Sequence, residues 1–176
     1  YRNNRPAIYV ESCGLILAKQ NWADNQVEVT LDLEELLLEE NRFSSINLIA
    51  NTNAKKIHIR GNELGSLSLP NGIQVDEFKI ENNSFSNASF NLNLKGHVHF
   101  LENKIINTST NPAILIVKAD EALIKNNEIL SQKSSAIVLR KTAENIQIIG
   151  NQIKSYNTVI FDDSSSNLLV KDNVLT

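Results

Sequence analysis

The sequence predicts an all-β solenoid, and specifically a single-stranded right-handed parallel β-helix of about seven to eight coils. Three observations predict this fold. A short pattern recurs every 20 to 24 residues, asparagine holds one fixed place in it, and strand-like segments fill the remainder of each period. The 176 residues suffice for one domain with a buried core.

The repeat reads apolar, x, apolar, x, x, Asn, x, apolar, and residues 57–64 (IHIRGNEL) show it clearly. We assign residues 1–176 to one β-helix domain, with regular coils over residues 36–175 and degenerate N-terminal coils or a cap over residues 1–35. A degenerate eighth copy is predicted at Ile8/Val10/Cys13/Leu15, with Cys13 in the asparagine position. The asparagines of the seven clear copies are Asn41, Asn62, Asn83, Asn103, Asn127, Asn151 and Asn173.

A spacing of two explains the apolar pair in each repeat. Successive side chains of a strand face opposite sides, so the two apolar residues point inward together. An asparagine that points inward at the following corner must satisfy its amide group. Asparagines stacked in successive coils can bond to one another and to the corner backbone, which predicts an asparagine ladder. The second strands of the coils are predicted at Ile46/Leu48, Leu67/Leu69, Phe90/Leu92/Leu94, Ile114/Ile116, Ile137/Leu139 and Val159/Phe161.

A leucine-rich-repeat solenoid is the alternative fold. Residues 33–43 (LEELLLEENRF) match its pattern closely. The leucine that should precede the first strand by three residues occurs in only one copy, however, and the second half of each repeat has the composition of a strand rather than a helix. The β-helix is therefore the favoured prediction.

Two segments carry a family resemblance. Residues 119–129 (ADEALIKNNEI) and 145–153 (NIQIIGNQI) resemble the repeats of right-handed parallel β-helices of the pectate-lyase-like class, and the resemblance extends over nearly the whole chain. That class includes polysaccharide lyases, hydrolases and epimerases, phage tailspikes, adhesins and non-enzymatic scaffolds, so the resemblance implies a fold rather than an activity. The sequence lacks the acidic calcium cluster and the Arg-x-Pro-Arg segment of the pectate lyases, which disfavours that activity.

Alignment of the coils on the ladder asparagine places all three histidines on one outward face, within three consecutive coils. A His or Lys there could act as a general base on an acidic sugar, with Arg60 holding the carboxylate of the sugar. The other interpretation is a set of solvated cross-strand charge pairs. The predicted binding residues are His58, Arg60, Glu77, Lys79, Glu81, His97, His99 and Leu101.

The histidines and the single cysteine are the side chains that could form a metal site. His97 and His99 are two residues apart on a predicted strand and could share a metal, with Glu77 or Glu121 as a third ligand. Nothing in the sequence fixes that third ligand, so we predict no metal and no cofactor. One cysteine excludes an intrachain disulfide framework and a cysteine-rich zinc site.

The net charge of −3 and the absence of a basic patch argue against nucleic acid as a partner. No apolar run approaches the roughly 18 residues of a membrane span. A first residue other than Met is expected for a processed or excised piece, and we favour an extracellular or cell-surface location.

The functional prediction is a non-enzymatic binding or scaffold module whose outer face recognises a protein or a polysaccharide. End-to-end or face-to-face self-association is a further possible partnership. The alternative is a polysaccharide-active lyase, hydrolase or epimerase.

Overall fold

The computed structural model describes residues 8–11, 14–69, 74–163 and 165–176. Over these ranges the chain forms strands joined by turns and bends, without a helix. The strands are β1 (Ile8–Glu11), β2 (Leu15–Lys19), β3 (Trp22–Glu39), β4 (Arg42–Arg60), β5 (Glu63–Ser68), β6 (Gln74–Glu81), β7 (Ser84–Phe85), β8 (Phe90–Asn93), β9 (His97–Leu101), β10 (Lys104–Asn107), β11 (Ile114–Ala119), β12 (Glu121–Lys125), β13 (Glu128–Ser131), β14 (Ile137–Ala143), β15 (Ile146–Ile149), β16 (Gln152–Ser155), β17 (Ile160–Asp162), β18 (Leu169–Lys171) and β19 (Val174–Leu175).

All pairings between these strands are parallel, and they build three faces. The first face stacks β4, β6, β9, β12, β15 and β18, and the second stacks β5, β7, β10, β13, β16 and β19. The third is a separate sheet of β8, β11, β14 and β17. The long strands β3 and β4 run around whole coils and join the first two faces into one sheet. The predicted parallel β-helix is therefore confirmed, and the leucine-rich-repeat alternative is wrong because the second half of each repeat is extended.

Inward side chains from the three faces meet in a continuous core. The inward pair Ile57 and Ile59 is fully buried, as the repeat predicts. Phe90 of the third face lies between Phe100 of the first face and Phe85 of the second, with ring centroids 5.0 and 5.1 Å away in edge-to-face geometry. Each buried phenylalanine contributes about 1.5–3 kcal/mol by leaving water, and each such ring pair adds about 0.5–1.5 kcal/mol.

The seven predicted asparagines form one column at the corner between the first and second faces, and Asn62 shows the arrangement. Its Oδ1 accepts from the backbone N–H of Asn41 at 2.8 Å and from the Asn41 side-chain amide at 3.0 Å. Its own Nδ2 donates to Asn83 Oδ1 and to the carbonyl of Leu38 in the preceding coil, each at 2.9 Å. The predicted ladder is confirmed, and it satisfies an amide group that is only 2% exposed.

The residue before each ladder asparagine adopts a left-handed conformation, which the sequence did not reveal because only two of the eight are glycine. A left-handed residue at this point turns the chain sharply while the following asparagine still points inward. Every coil therefore makes the same corner. The residues are Gln20, Glu40, Gly61, Asn82, Glu102, Asn126, Gly150 and Asp172, with φ between 52° and 66°.

The first coil differs from its prediction. Strand β2 pairs with residues 35–39, which places Ile16 and Ala18 in the inward positions. Asn21 is the eighth ladder residue, since its backbone N–H donates to Asn41 Oδ1 at 2.9 Å. The predicted copy Ile8/Val10/Cys13/Leu15 is wrong: β1 pairs with Val27–Thr30 instead, and Leu15 is 60% exposed. Cys13 itself lies outside the described residues.

One second strand is also displaced by a residue. The register places Ile160 opposite Ile137, whose side chain is fully buried. The strand predicted at Val159/Phe161 is thus present as β17, and Val159 packs against the core, but Phe161, which stands opposite Val138, is 44% exposed. The other predicted inward residues of the third face, such as Ile114 and Ile116, are buried and stand in register with their neighbours.

A substitution in the middle of the ladder should be costly. Asn103→Leu removes the side-chain oxygen that accepts from the backbone N–H and the amide of Asn83, and it removes the amide that donates to the carbonyl of Ile80. We expect it to lower the free energy of unfolding by about 1–3 kcal/mol. Asn173→Leu, at the partly exposed last position of the ladder, is the matched control and should cost less. Equal and negligible costs in chemical denaturation would contradict a continuous ladder.

The corner residues give a second stability test. Gly61→Ala should cost about 1 kcal/mol from backbone strain alone, because its new Cβ would make only ordinary contacts, with Glu40 Cγ at 3.6 Å and the Glu40 backbone nitrogen at 3.9 Å. Glu102→Gly should stabilise the fold by about 0.5–1 kcal/mol, because it relieves the same strain. Gly14→Ala is the control, since Gly14 has no left-handed φ and open space around it. A loss at Gly14 as large as at Gly61, measured by thermal or denaturant unfolding, would refute this account of the corner.

Candidate functional site

The register brings the predicted binding residues together on strands β4, β6 and β9 of the first face. His58 stands opposite Lys79, which stands opposite His99. Neighbouring strands are about 4.8 Å apart, so these side chains form a regular outward array. We call the eight residues the histidine face: His58, Arg60, Glu77, Lys79, Glu81, His97, His99 and Leu101.

Glu81 is the electrostatic centre of the histidine face. Its Oε2 lies 2.8 Å from the ammonium of Lys79 and 3.3 Å from Nε2 of His58. The three side chains are 16 to 27% exposed, so they are better shielded from solvent than other pairs on this face. The carboxylate of Glu81 therefore contacts two of the other predicted binding residues, Lys79 and His58.

The protonation states follow from this packing. Burial lowers the pKa of His58 below its ordinary value and outweighs the opposing effect of the hydrogen bond that the imidazole makes to Glu81, and the nearby Lys79 lowers the pKa further. The hydrogen bond from Lys79 is the largest influence on Glu81 and lowers the pKa of that carboxyl group. At neutral pH the cluster holds a charged Glu81–Lys79 pair and a neutral imidazole.

Protonation of a histidine below about pH 6.5 would add positive charge and strengthen binding to an anionic partner. The lowered pKa of His58 moves protonation of this residue, and any such effect from it, to more acidic conditions.

Arg60 has no carboxylate within 4.0 Å among the residues the structure describes, although it stands opposite Glu81 in the register. Its side chain is exposed at the edge of the shielded cluster. The guanidinium carries five donors in a fixed plane and suits a carboxylate or another planar acceptor. Arg60 is thus the cation of this face that is most open to a partner.

His97 contributes differently from His58. Its Nδ1 lies 3.3 Å from the carboxylate of Glu121, with both side chains about half exposed. An ion pair in that setting contributes little to stability. His97 and His99 do share one strand, but no group of three His, Cys, Asp or Glu able to hold a metal occurs in the described ranges.

Two outward leucines lie at one edge of the histidine face: Leu101 belongs to the face, and Leu123 is next to it. Leu101 and Leu123 are half-buried and stand in neighbouring strands, in adjacent outward columns. Together with Glu81 and Lys125 they border a depression of about 180 Å³. Its volume is well below the roughly 300–1,000 Å³ of enclosed small-molecule pockets. The geometry is that of a surface contact and not of a closed cleft.

Comparisons with known proteins identify no relative. No family model, no curated protein and no solved structure matches the chain. The assignment of a parallel β-helix therefore rests on the strand pairing alone, and the resemblance to the pectate-lyase-like class stays a prediction. No helix in the described part of the chain is long and apolar enough to cross a membrane.

The lowered pKa of His58 predicts a pH dependence of folding. When the folded pKa lies below the unfolded value of about 6.5, the unfolded chain binds a proton first, and stability falls as the pH drops through that window. His58→Gln should flatten the dependence of unfolding free energy on pH between about 7.5 and 5.5. Glu81, whose pKa is also lowered, remains ionised there.

The matched control is His97→Gln, which removes an imidazole that is 56% exposed. It should leave the slope unchanged in denaturant titrations at each pH. A slope that is lost in the His97 variant and kept in the His58 variant would show that the pKa shift has been assigned to the wrong residue.

Proposed function

We propose that the chain is a non-enzymatic binding module and that its histidine face recognises a protein partner. The observation that carries the proposal is one outward column, in which the exposed Arg60 and the half-buried Leu101 stand on either side of Glu81. Leu123 adds a second apolar side chain on the strand next to that of Leu101. Protein interfaces combine apolar contact with arginine, and a few such side chains supply most of the binding energy. Outward apolar side chains on a charged surface without a cleft favour a protein, and not a polysaccharide, as the binding partner.

The rigidity of the face supports the proposal. Strands on both sides hold β6 and β9 by parallel pairing, and the inward neighbours Phe78 and Val98 are completely buried. Side chains fixed to such a sheet have little conformational entropy left to lose on association. The shielded Glu81–Lys79 pair then supplies adjacent charges of opposite sign, which favours specificity by charge complementarity.

The polysaccharide-active enzyme remains the alternative, and the geometry supports it less well. A general base must reach the proton that it abstracts. His58 is only 16% exposed, and its Nε2 is engaged with Glu81. The depression beside it is also too small to exclude water from a sugar chain.

The test begins with a partner isolated by cross-linking and affinity capture, followed by measured affinities of purified components. The triple variant His58→Ala, Lys79→Ala, His99→Ala and the double variant Arg60→Ala, Leu101→Ala should each weaken binding at least about tenfold, the equivalent of 1.4 kcal/mol. The control variant Lys104→Ala, Lys118→Ala, Arg140→Ala removes three exposed cations elsewhere and should bind normally.

Unchanged affinity of both test variants, with the fold intact by circular dichroism, would place the interface on another surface. A glycan array read in parallel separates the two partner classes. Binding of the histidine face to a glycan, lost in the triple variant and retained in the control, would overturn the choice of a protein partner.

A further inference from the structure

A second depression lies on the second face, outside the histidine face, and the sequence patterns did not predict it. Its volume is about 260 Å³. Trp22, Arg42 and Glu63 occupy neighbouring positions in one outward column that continues to Ser84. With about 4.8 Å between strands, that column is roughly 14 Å long. The depression is therefore an elongated groove across four strands.

The floor of the groove carries few side-chain atoms, because Gly65 is one of the residues that line it. A Cβ placed on Gly65 would lie 2.1 Å from the carbonyl oxygen of Ser44, so a larger residue requires the strand to move. Ser44 and Ser86 complete the floor with small hydroxyl-bearing side chains. The close approach of two coils thus makes the groove a permanent part of the fold.

An exposed aromatic ring stands at one end of this column. Trp22 is 70% exposed, and it is the one tryptophan in the sequence. The indole face carries the negative part of the ring quadrupole, which attracts partly positive C–H groups. A ligand that lies on Trp22 needs a flat surface of C–H bonds.

Next to the ring, in the same column, is a loose ion pair. Arg42 Nε and Glu63 Oε2 are 3.6 Å apart, and both side chains are about two-thirds exposed. This separation exceeds that of a good hydrogen bond, so donors on Arg42 and acceptors on Glu63 stay open to a ligand. The opposite charges cancel, so the groove has no preference for an anion or a cation.

We propose that this groove binds a neutral oligosaccharide. A neutral pyranose ring combines the three required properties: a C–H face for Trp22, hydroxyls for Arg42 and Glu63, and no charge. The length of the groove suits a short chain of rings lying across the coils. Serine hydroxyls on the floor add donors and acceptors near the ligand. This site is independent of the histidine face and of its proposed protein partner.

The single tryptophan allows a direct test with the intact chain. Fluorescence excited at Trp22 is followed while neutral hexasaccharides of glucose, mannose and xylose units are added, with oligogalacturonate as the charged comparison. A saturable change with at least one neutral sugar, and a weaker response to oligogalacturonate, is expected. No saturable change with any neutral sugar, or a response to the charged one alone, would overturn the proposal.

Variants separate this site from other surfaces. Ser86→Leu fills the groove while Trp22 remains as the reporter, and it should weaken binding at least about tenfold. Arg42→Ala should also weaken binding. Arg140→Ala is its matched control, because Arg140 forms a similarly exposed ion pair of 3.6 Å with Asp163 on the third face. Equal losses in the two arginine variants would overturn the proposed groove.

The histidine-face triple variant completes the design. It should bind the neutral sugar with unchanged affinity, whatever its effect on a protein partner. Loss of sugar binding in that variant, with its fold intact by circular dichroism, would contradict the assignment of the ligand to the Trp22 groove.

Discussion

The hydrogen bonds that join the asparagine amides of neighbouring coils are the constraint on which the structure depends. Each ladder oxygen receives a backbone and a side-chain donor from one neighbour, as Asn127 Oδ1 does from Asn103 at 2.9 and 3.0 Å. A buried amide without such partners would cost about 1–3 kcal/mol. The ladder therefore fixes the relative height and rotation of successive coils, and each coil must make the same left-handed corner before it.

The fixed register between coils aligns equivalent residues of successive repeats on the surface of the solenoid. Since an inward position in one coil stacks on an inward position in the next, outward positions form columns as well. Lys79 meets Glu81 within one such array, and Trp22 meets Arg42 within another. The two candidate sites differ because their columns hold different side chains. The histidine face combines shielded charges with leucines, whereas the groove combines a bare indole with small residues and cancelling charges.

The sequence predicts the ladder and the outward columns because asparagine and its two apolar partners keep one spacing in seven coils. Asn21 escapes notice because alanine, a weak apolar signal, occupies two of the three apolar positions of its repeat, Ala18 and Ala23. Ile160 is misplaced for another reason. The number of residues between the ladder asparagine and the strand of the third face varies among coils. The alternation of apolar and polar residues alone therefore does not set the register of that strand.

The chemistry of the sites is less predictable than their positions. Glu81 pairs with both Lys79 and His58 and leaves Arg60 unpaired among the described residues. This choice depends on side-chain orientations that residue spacing does not encode. The groove at Trp22 depends on the contact of Gly65 with Ser44, two residues 21 positions apart in the chain. Neither residue has a chemical signature that points to a site before the coils are stacked.

Hydrogen exchange of the asparagine side-chain amides, followed by NMR, distinguishes a bonded ladder from coils that are merely stacked. Slow exchange is expected for the Nδ2 protons of Asn41, Asn62, Asn83, Asn103, Asn127 and Asn151, which are at most 3% exposed. The exposed Asn93 and Asn126 should exchange rapidly under the same conditions. Ladder amides that exchange as fast as those of Asn93 and Asn126 would contradict a buried, hydrogen-bonded column.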